Sequence, residues 1–197
     1  MNMKKKIFTA AIAAAVASVT VVSGSLAYFT AKDEVDPNVF TFGNVAIELT
    51  EDKWVTPETV IPGATYEKDP TVKNTGSEEA YARIKVTVSD AAAFKAALGE
   101  DYDLSKIFIG HDEALWERTG ITLNADDTLT YEYTLKGTLE KDESATLFTA
   151  VQVPAEFDEK DVEALQGAFE INIAAEAVQA NGFETAADAF SATFDKE

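Results

Sequence analysis

The 197-residue sequence predicts a mainly β fold: an antiparallel, jelly-roll-like β-sandwich with a few short helices. Three observations carry that expectation. Apolar residues alternate with polar ones at period 2, turn residues punctuate the alternating runs, and three short helical segments interrupt them. In "VAIEL", Val45, Ile47 and Leu49 share one face. In "ARIKVTVS", Ala82, Ile84, Val86 and Val88 point one way while Arg83, Lys85 and Thr87 point to solvent. "LTYEYTL" aligns Leu129, Tyr131, Tyr133 and Leu135; "LFTAVQV" aligns Leu147, Thr149, Val151 and Val153; "FEINIAAEA" aligns Phe169, Ile171, Ile173, Ala175 and Ala177. One apolar and one polar face per strand is the signature of antiparallel sheets packed face to face. "IPGA", "KNTG", "NADD" and "KDES" supply the turns. "SDAAAFKAALG", with a Ser/Asp cap and a stop at Gly99, is the first helix; "DEKDVEALQG", from Asp158 to Gly167, is the second; "ETAADAFSATF" is the third. Aromatic residues Tyr131, Tyr133, Phe148 and Phe169 fall at strand spacing and read as core. Trp54 and Trp116 lie near turns and read as partly exposed, with no role.

The formal net charge is −19. Residues 1–27 hold Lys4, Lys5 and Lys6 and no acid, so the remainder carries −22. Such a field repels nucleic acid and anionic membranes. Cysteine is absent, which removes disulfides, thiolate metal sites and a cysteine nucleophile.

The N-terminus reads as an export signal. "MNMKKK" is a basic start, and "IFTAAIAAAVASVTVV" is an apolar run shorter than the roughly 20 residues that span a bilayer. "SLA" then places Ser25 and Ala27 at the −3 and −1 positions of a small-x-small cleavage site, with Tyr28 as the first mature residue. The expected organisation is a cleaved signal peptide over 1–27, an extended segment over 28–38 and a β-sandwich domain over 39–197. The product is secreted, without membrane attachment after cleavage.

Motifs for catalysis are scarce. His111 is the sole histidine, in "IGHDEALW", and neither an HExxH pair nor a GxSxG elbow accompanies it. It reads as a loop residue between a short strand and a turn. Acidic pairs such as Glu100/Asp101/Asp103 and Asp126/Asp127 offer only fragments of a calcium-loop pattern and read as turns and helix caps. No catalytic residue, metal ligand or cofactor site is expected.

"GSLAYFT", followed by "NVFTFGNVAIELTE", resembles the secreted TasA/camelysin family of Gram-positive bacteria, whose precursors are matured by a dedicated signal peptidase. Ala27, Tyr28, Phe29 and Thr30 match the family's mature start; Phe40, Thr41, Phe42, Gly43, Val45, Ile47 and Leu49 match its first strand, with the glycine one position early. "VIPGATYEKDPTVKNTGSEEAYARIKV" is similar to its Pro-Gly turn and Asn-Thr-Gly hairpin. The resemblance implies a jelly-roll subunit of extracellular biofilm-matrix fibres. Camelysin relatives are classed as metalloproteases, but without a zinc motif that activity does not carry over. The C-terminal "SATFDKE" has no wall-sorting signal, so covalent anchoring is not expected.

Assembly would follow by strand addition. The segment "YFTAKDEVDP", with Tyr28, Phe29, Ala31 and Val35 as its apolar donor residues, would be freed by cleavage and would fill an open sheet edge on a neighbouring copy, alternate side chains entering the groove. Pro37 would end the donor. Head-to-tail repetition of one such contact gives an open filament. The expected partners are further copies of the chain, a signal peptidase and a minor initiating protein. Two other readings compete: a secreted metal-dependent peptidase, and a monomeric surface-binding module or adhesin.

Overall fold

The computed structural model describes residues 43–165 and 169–195. Among them run β1 (Ile47–Thr50), β2 (Thr65–Glu67), β3 (Thr71–Asn74), β4 (Ala80–Val88), α1 (Ala91–Leu98), a 3-10 turn (Leu104–Ile107) and β5 (Phe108–Ile109). These are followed by β6 (Trp116–Leu123), β7 (Leu129–Leu135), β8 (Ser144–Thr146), β9 (Ala150–Gln152), α2 (Glu159–Ala164), β10 (Ile171–Gln179) and α3 (Ala186–Thr193). The mainly β, sandwich-like architecture agrees with the alternation in the sequence.

One layer is a four-stranded antiparallel sheet in the order β10-β4-β7-β6. Its inner face is the one the sequence pattern selects. Ala82, Ile84, Val86 and Val88 are fully buried, opposite Tyr131, Tyr133 and Leu129 of β7. A fully buried side chain of this size contributes about 1.5–3 kcal/mol by leaving water.

The other layer is written in two pieces, β1-β3-β8 and β2-β9-β5. They share one register. Glu67 faces Ala150, and four residues on Thr71 faces Thr146, so β2–β3 and β8–β9 are two long strands interrupted in the middle. Pro70 explains the interruption: its carbonyl accepts from the Leu147 amide at 2.9 Å, but it has no N–H to return. "LFTAVQV" is therefore not the unbroken strand its alternation suggests. Leu147 and Phe148 are both buried, Thr149 is exposed, and regular pairing resumes at Ala150.

Both layers contribute to a single core. Val72, Leu147 and Val151 from the split sheet pack with Ile84, Val86, Tyr131 and Trp116 from the other. Trp116 is 1% exposed, contrary to its expected partial exposure; β6 is a full strand, and the indole N–H donates to the Thr146 carbonyl of the facing layer at 2.9 Å. Trp54 does remain 36% exposed.

Arg83 also departs from expectation. It lies on the outer face of β4, yet is buried, because α3 folds back over the β10–β4 half of that face with Phe190 against Val178. The "KNTG" stretch is likewise not a hairpin turn, since β3 and β4 belong to different layers. Asn74 organises the crossing: its amide donates to the carbonyls of Glu78 (2.7 Å) and Leu139 (2.9 Å), and its side-chain oxygen accepts from Gly76 N–H. A Cβ on Gly76 would stand 2.4 Å from the Asn44 carbonyl, so only glycine fits.

The three expected helices are present. Asp158 caps α2 with a reciprocal bond to Asp161, and Thr185 caps α3. Asp90 does not cap α1 as expected; it is left-handed, and Asp127 accepts from the Ala92 amide instead. Gly167 lies outside the described residues.

Candidate functional site

The residues singled out for cleavage and donor-strand function, Ser25, Ala27, Tyr28, Phe29, Ala31 and Val35, lie outside the described residues, as does the 28–38 boundary. Two features within them have the geometry of sites.

The first is an open strand lane. Along the β2–β3 strand, even-numbered residues bond toward β8–β9: Lys68 N to Thr149 O (3.3 Å), Pro70 O to Leu147 N, and Asn74 N to Glu143 O (2.9 Å). Odd-numbered residues therefore turn their backbone groups to the other side. At Thr71 and Lys73 that side is filled by β1. At Thr65 and Glu67 no strand pairs with it among the described residues. The chain leaves the lane just after β1, because the Asp69 carboxylate accepts from the Lys53 amide (2.9 Å) and holds a turn there. Lys68, nearly buried, pairs with Glu51 at 2.6 Å and sits over the Trp54 ring. Beside the lane is a groove of about 400 Å³ lined by Trp54, Val60, Tyr66, Val151, Phe169 and Ile171. Val55 and Ile61, on the loop flanking it, are 77% and 58% exposed. The Tyr66 hydroxyl pins that loop, accepting from Ile61 N and donating to Thr59 O. Sequence alternation could not show this lane. Pro70 was its one available signal, since proline interrupts a ladder.

The second is a polar cavity of about 660 Å³ between the Asp103–His111 segment and β6. Arg118 donates to Asp103 (2.7 Å) and to Ser105 Oγ (2.8 Å). Burial alone would raise the Asp103 pKa, but the bonds from Arg118 and Ser105 outweigh it and hold it below the ordinary range. His111 occupies the expected loop after β5, with its ring 5.0 Å from that of Tyr133. Its Nε2 is buried and without a partner among the described residues. Burial lowers its pKa, against the pull of Glu113 and Asp112, so the imidazole is neutral at pH 7.

The other acidic residues have structural work. Asp112 accepts from Ala114 N, and Asp126 from Thr128. Among the described residues no three His, Asp or Glu side chains converge as a metal site would require, and no helix is long and apolar enough to cross a membrane.

A family model described as camelysin metallo-endopeptidase matches residues 2–182. No curated protein matches the chain. The family description implies a metal, and the donor set around the sole histidine does not suit one. His111 faces Arg118 and Lys136 as well as Glu113, so a dication there would meet cations at the same wall. Asp103 is already committed to Arg118 and Ser105. The match nevertheless spans most of the sequence, in keeping with the motifs at its N-terminus, and the chain belongs to the camelysin metallo-endopeptidase family.

Proposed function

We propose that the protein is an exported, non-enzymatic structural subunit that polymerises head to tail into extracellular fibres, residues 28–38 of one copy filling the lane beside β2 of the next. The open lane carries the reading: among the described residues Thr65 and Glu67 have no strand partner on that side, beside an apolar groove, the arrangement that strand addition requires. In an extended donor, Phe29, Ala31 and Val35 share one face and would enter the groove, while Tyr28 would lie on the opposite face. Removal of residues 1–27 would free that donor, and the initiating partner would supply the first one.

The test is electron microscopy of residues 28–197 beside a form lacking 28–36. Filaments are expected from the first and none from the second. Thr65→Pro, which deletes an outward-facing N–H and leaves the bonds toward β9 in place, is expected to stop assembly from the acceptor side. Filaments unchanged by the deletion would overturn the proposal. A monomer under all conditions would favour a surface-binding module. Casein cleavage that a chelator blocks and His111→Ala abolishes would favour the peptidase that the family description names.

A further inference from the structure

The cavity beside His111 holds polar groups that the fold leaves uncommitted. Lys106 and Lys136 reach it, and neither has a carboxylate within ion-pair distance among the described residues. Lys136 donates only to the Glu113 backbone carbonyl, at 2.6 Å, which leaves two of its three protons free. Glu113 reaches the same space and has no cationic partner within ion-pair distance among the described residues. The ring of His111 lines the cavity, with its Nε2 buried and without a partner among the described residues. The volume of about 660 Å³ lies in the range of small-molecule sites.

These groups do not pair with one another into a closed network. Two ammonium groups ask for an anion, and the Glu113 carboxylate asks for hydroxyl donors. A phosphate would satisfy the first and be repelled by the second, in a chain already at −19. A neutral sugar would satisfy the second and leave the lysines unused. A sugar acid presents both chemistries on one ring.

We propose that this cavity binds a uronic acid residue, its carboxylate held by Lys106 and Lys136, and its hydroxyls by Glu113, with the ring seated beside His111. The site lies beside β5 and β6, does not use the lane beside β2, and stands whether or not the chain polymerises.

The sole histidine gives an unambiguous reporter. The full chain is titrated with D-glucuronate while the His111 imidazole resonances are followed by NMR, with D-glucose, acetate and inorganic phosphate in parallel. Glucuronate is expected to displace those resonances saturably, and each of the other three to bind at least about tenfold more weakly, because each lacks one of the charge-assisted bonds or meets a repelling carboxylate. Lys106→Met and Lys136→Met, both at exposed positions and so without effect on folding, are each expected to weaken glucuronate about tenfold. His111 signals that glucuronate does not move would overturn the proposal. So would glucose, acetate or phosphate binding as tightly, or lysine variants that bind like the parent.

Discussion

Replacing Arg83 with methionine is expected to lower the stability of the sandwich by about 3 kcal/mol, the low end of the cost of breaking a buried ion pair. The guanidinium is 3% exposed and grips the end of α3 through two bonds to Asp195, at 2.8 and 3.0 Å. A further bond runs to Glu176 of β10, and Glu132 of β7 stands 3.5 Å away. Phe190 lies 4.4 Å from the guanidinium carbon, so the charge is stacked as well as paired. Burial works to lower the Arg83 pKa, but Asp195, Glu176 and Glu132 raise it well above its ordinary value. Methionine keeps most of the volume and leaves Asp195, Glu176 and Glu132 with Lys85 as the one cation paired within the cluster among the described residues. Asp195 is 48% exposed and water screens its share, which is why the low end applies. Urea unfolding of the variant beside Arg83→Lys measures the cost. Lysine is expected to recover only part of it, because an ammonium cannot make the paired contact to Asp195.

The same cluster sets a response to acid. Burial would raise the Glu176 pKa, yet bonds from Lys85 and Arg83 bring it below its ordinary 4.5. Bonds from Arg83 bring Asp195 below 3.8. A carboxylate whose folded pKa is depressed contributes stability that is present above its unfolded pKa and lost as pH falls through the folded one. The urea midpoint is therefore expected to hold from neutral pH down to the ordinary carboxylate range and to drop below it. In Arg83→Met that drop should be shallower, because the partner that depresses both values is gone. A wild-type acid profile in the variant would show that other groups govern the response.

Arg83 also marks the limit of what strand periodicity can reveal. Alternation places Ala82, Ile84, Val86 and Val88 on the core face, and they are there. It assigns Arg83 to solvent by the same rule, and the rule fails because α3, more than a hundred residues away in sequence, covers that part of the outer face. Lys85, two residues along, stays half-exposed as the pattern implies. Strand β6 was illegible for another reason. "WERTGITL" mixes charges with a central glycine, and its register slips between Arg118 and Gly120, so no single period runs through it. The lane beside β2 depends on Asp69, whose carboxylate holds the Lys53 amide sixteen residues away and so turns the chain aside after β1, a contact that no local pattern displays. The donor residues could be named from the export motif and not from periodicity; the acceptor is a gap between elements, and gaps have no sequence pattern.

Trp116→Ala is expected to cost about 3–5 kcal/mol, the range for removing a buried tryptophan or phenylalanine. The side chain is 1% exposed and stands on β6, which among the described residues is bonded to a neighbour on one side only. Its indole N–H reaches across the core to the Thr146 carbonyl of β8, so one residue both fills the space between the layers and ties them. Alanine leaves a void and an unsatisfied carbonyl together, and β6 loses its deepest anchor. Trp116→Phe separates the two effects: it keeps most of the volume, loses the hydrogen bond, and is expected to cost about 1–2 kcal/mol more than the packing change alone. Urea melts followed by circular dichroism give both values. The fluorescence of Trp116, read in a Trp54→Phe background, should shift to longer wavelength only on global unfolding. A melt of Trp116→Ala that overlays the parent's would mean that β6 is held by its ladder to β7 alone and that the layers close without the indole bridge.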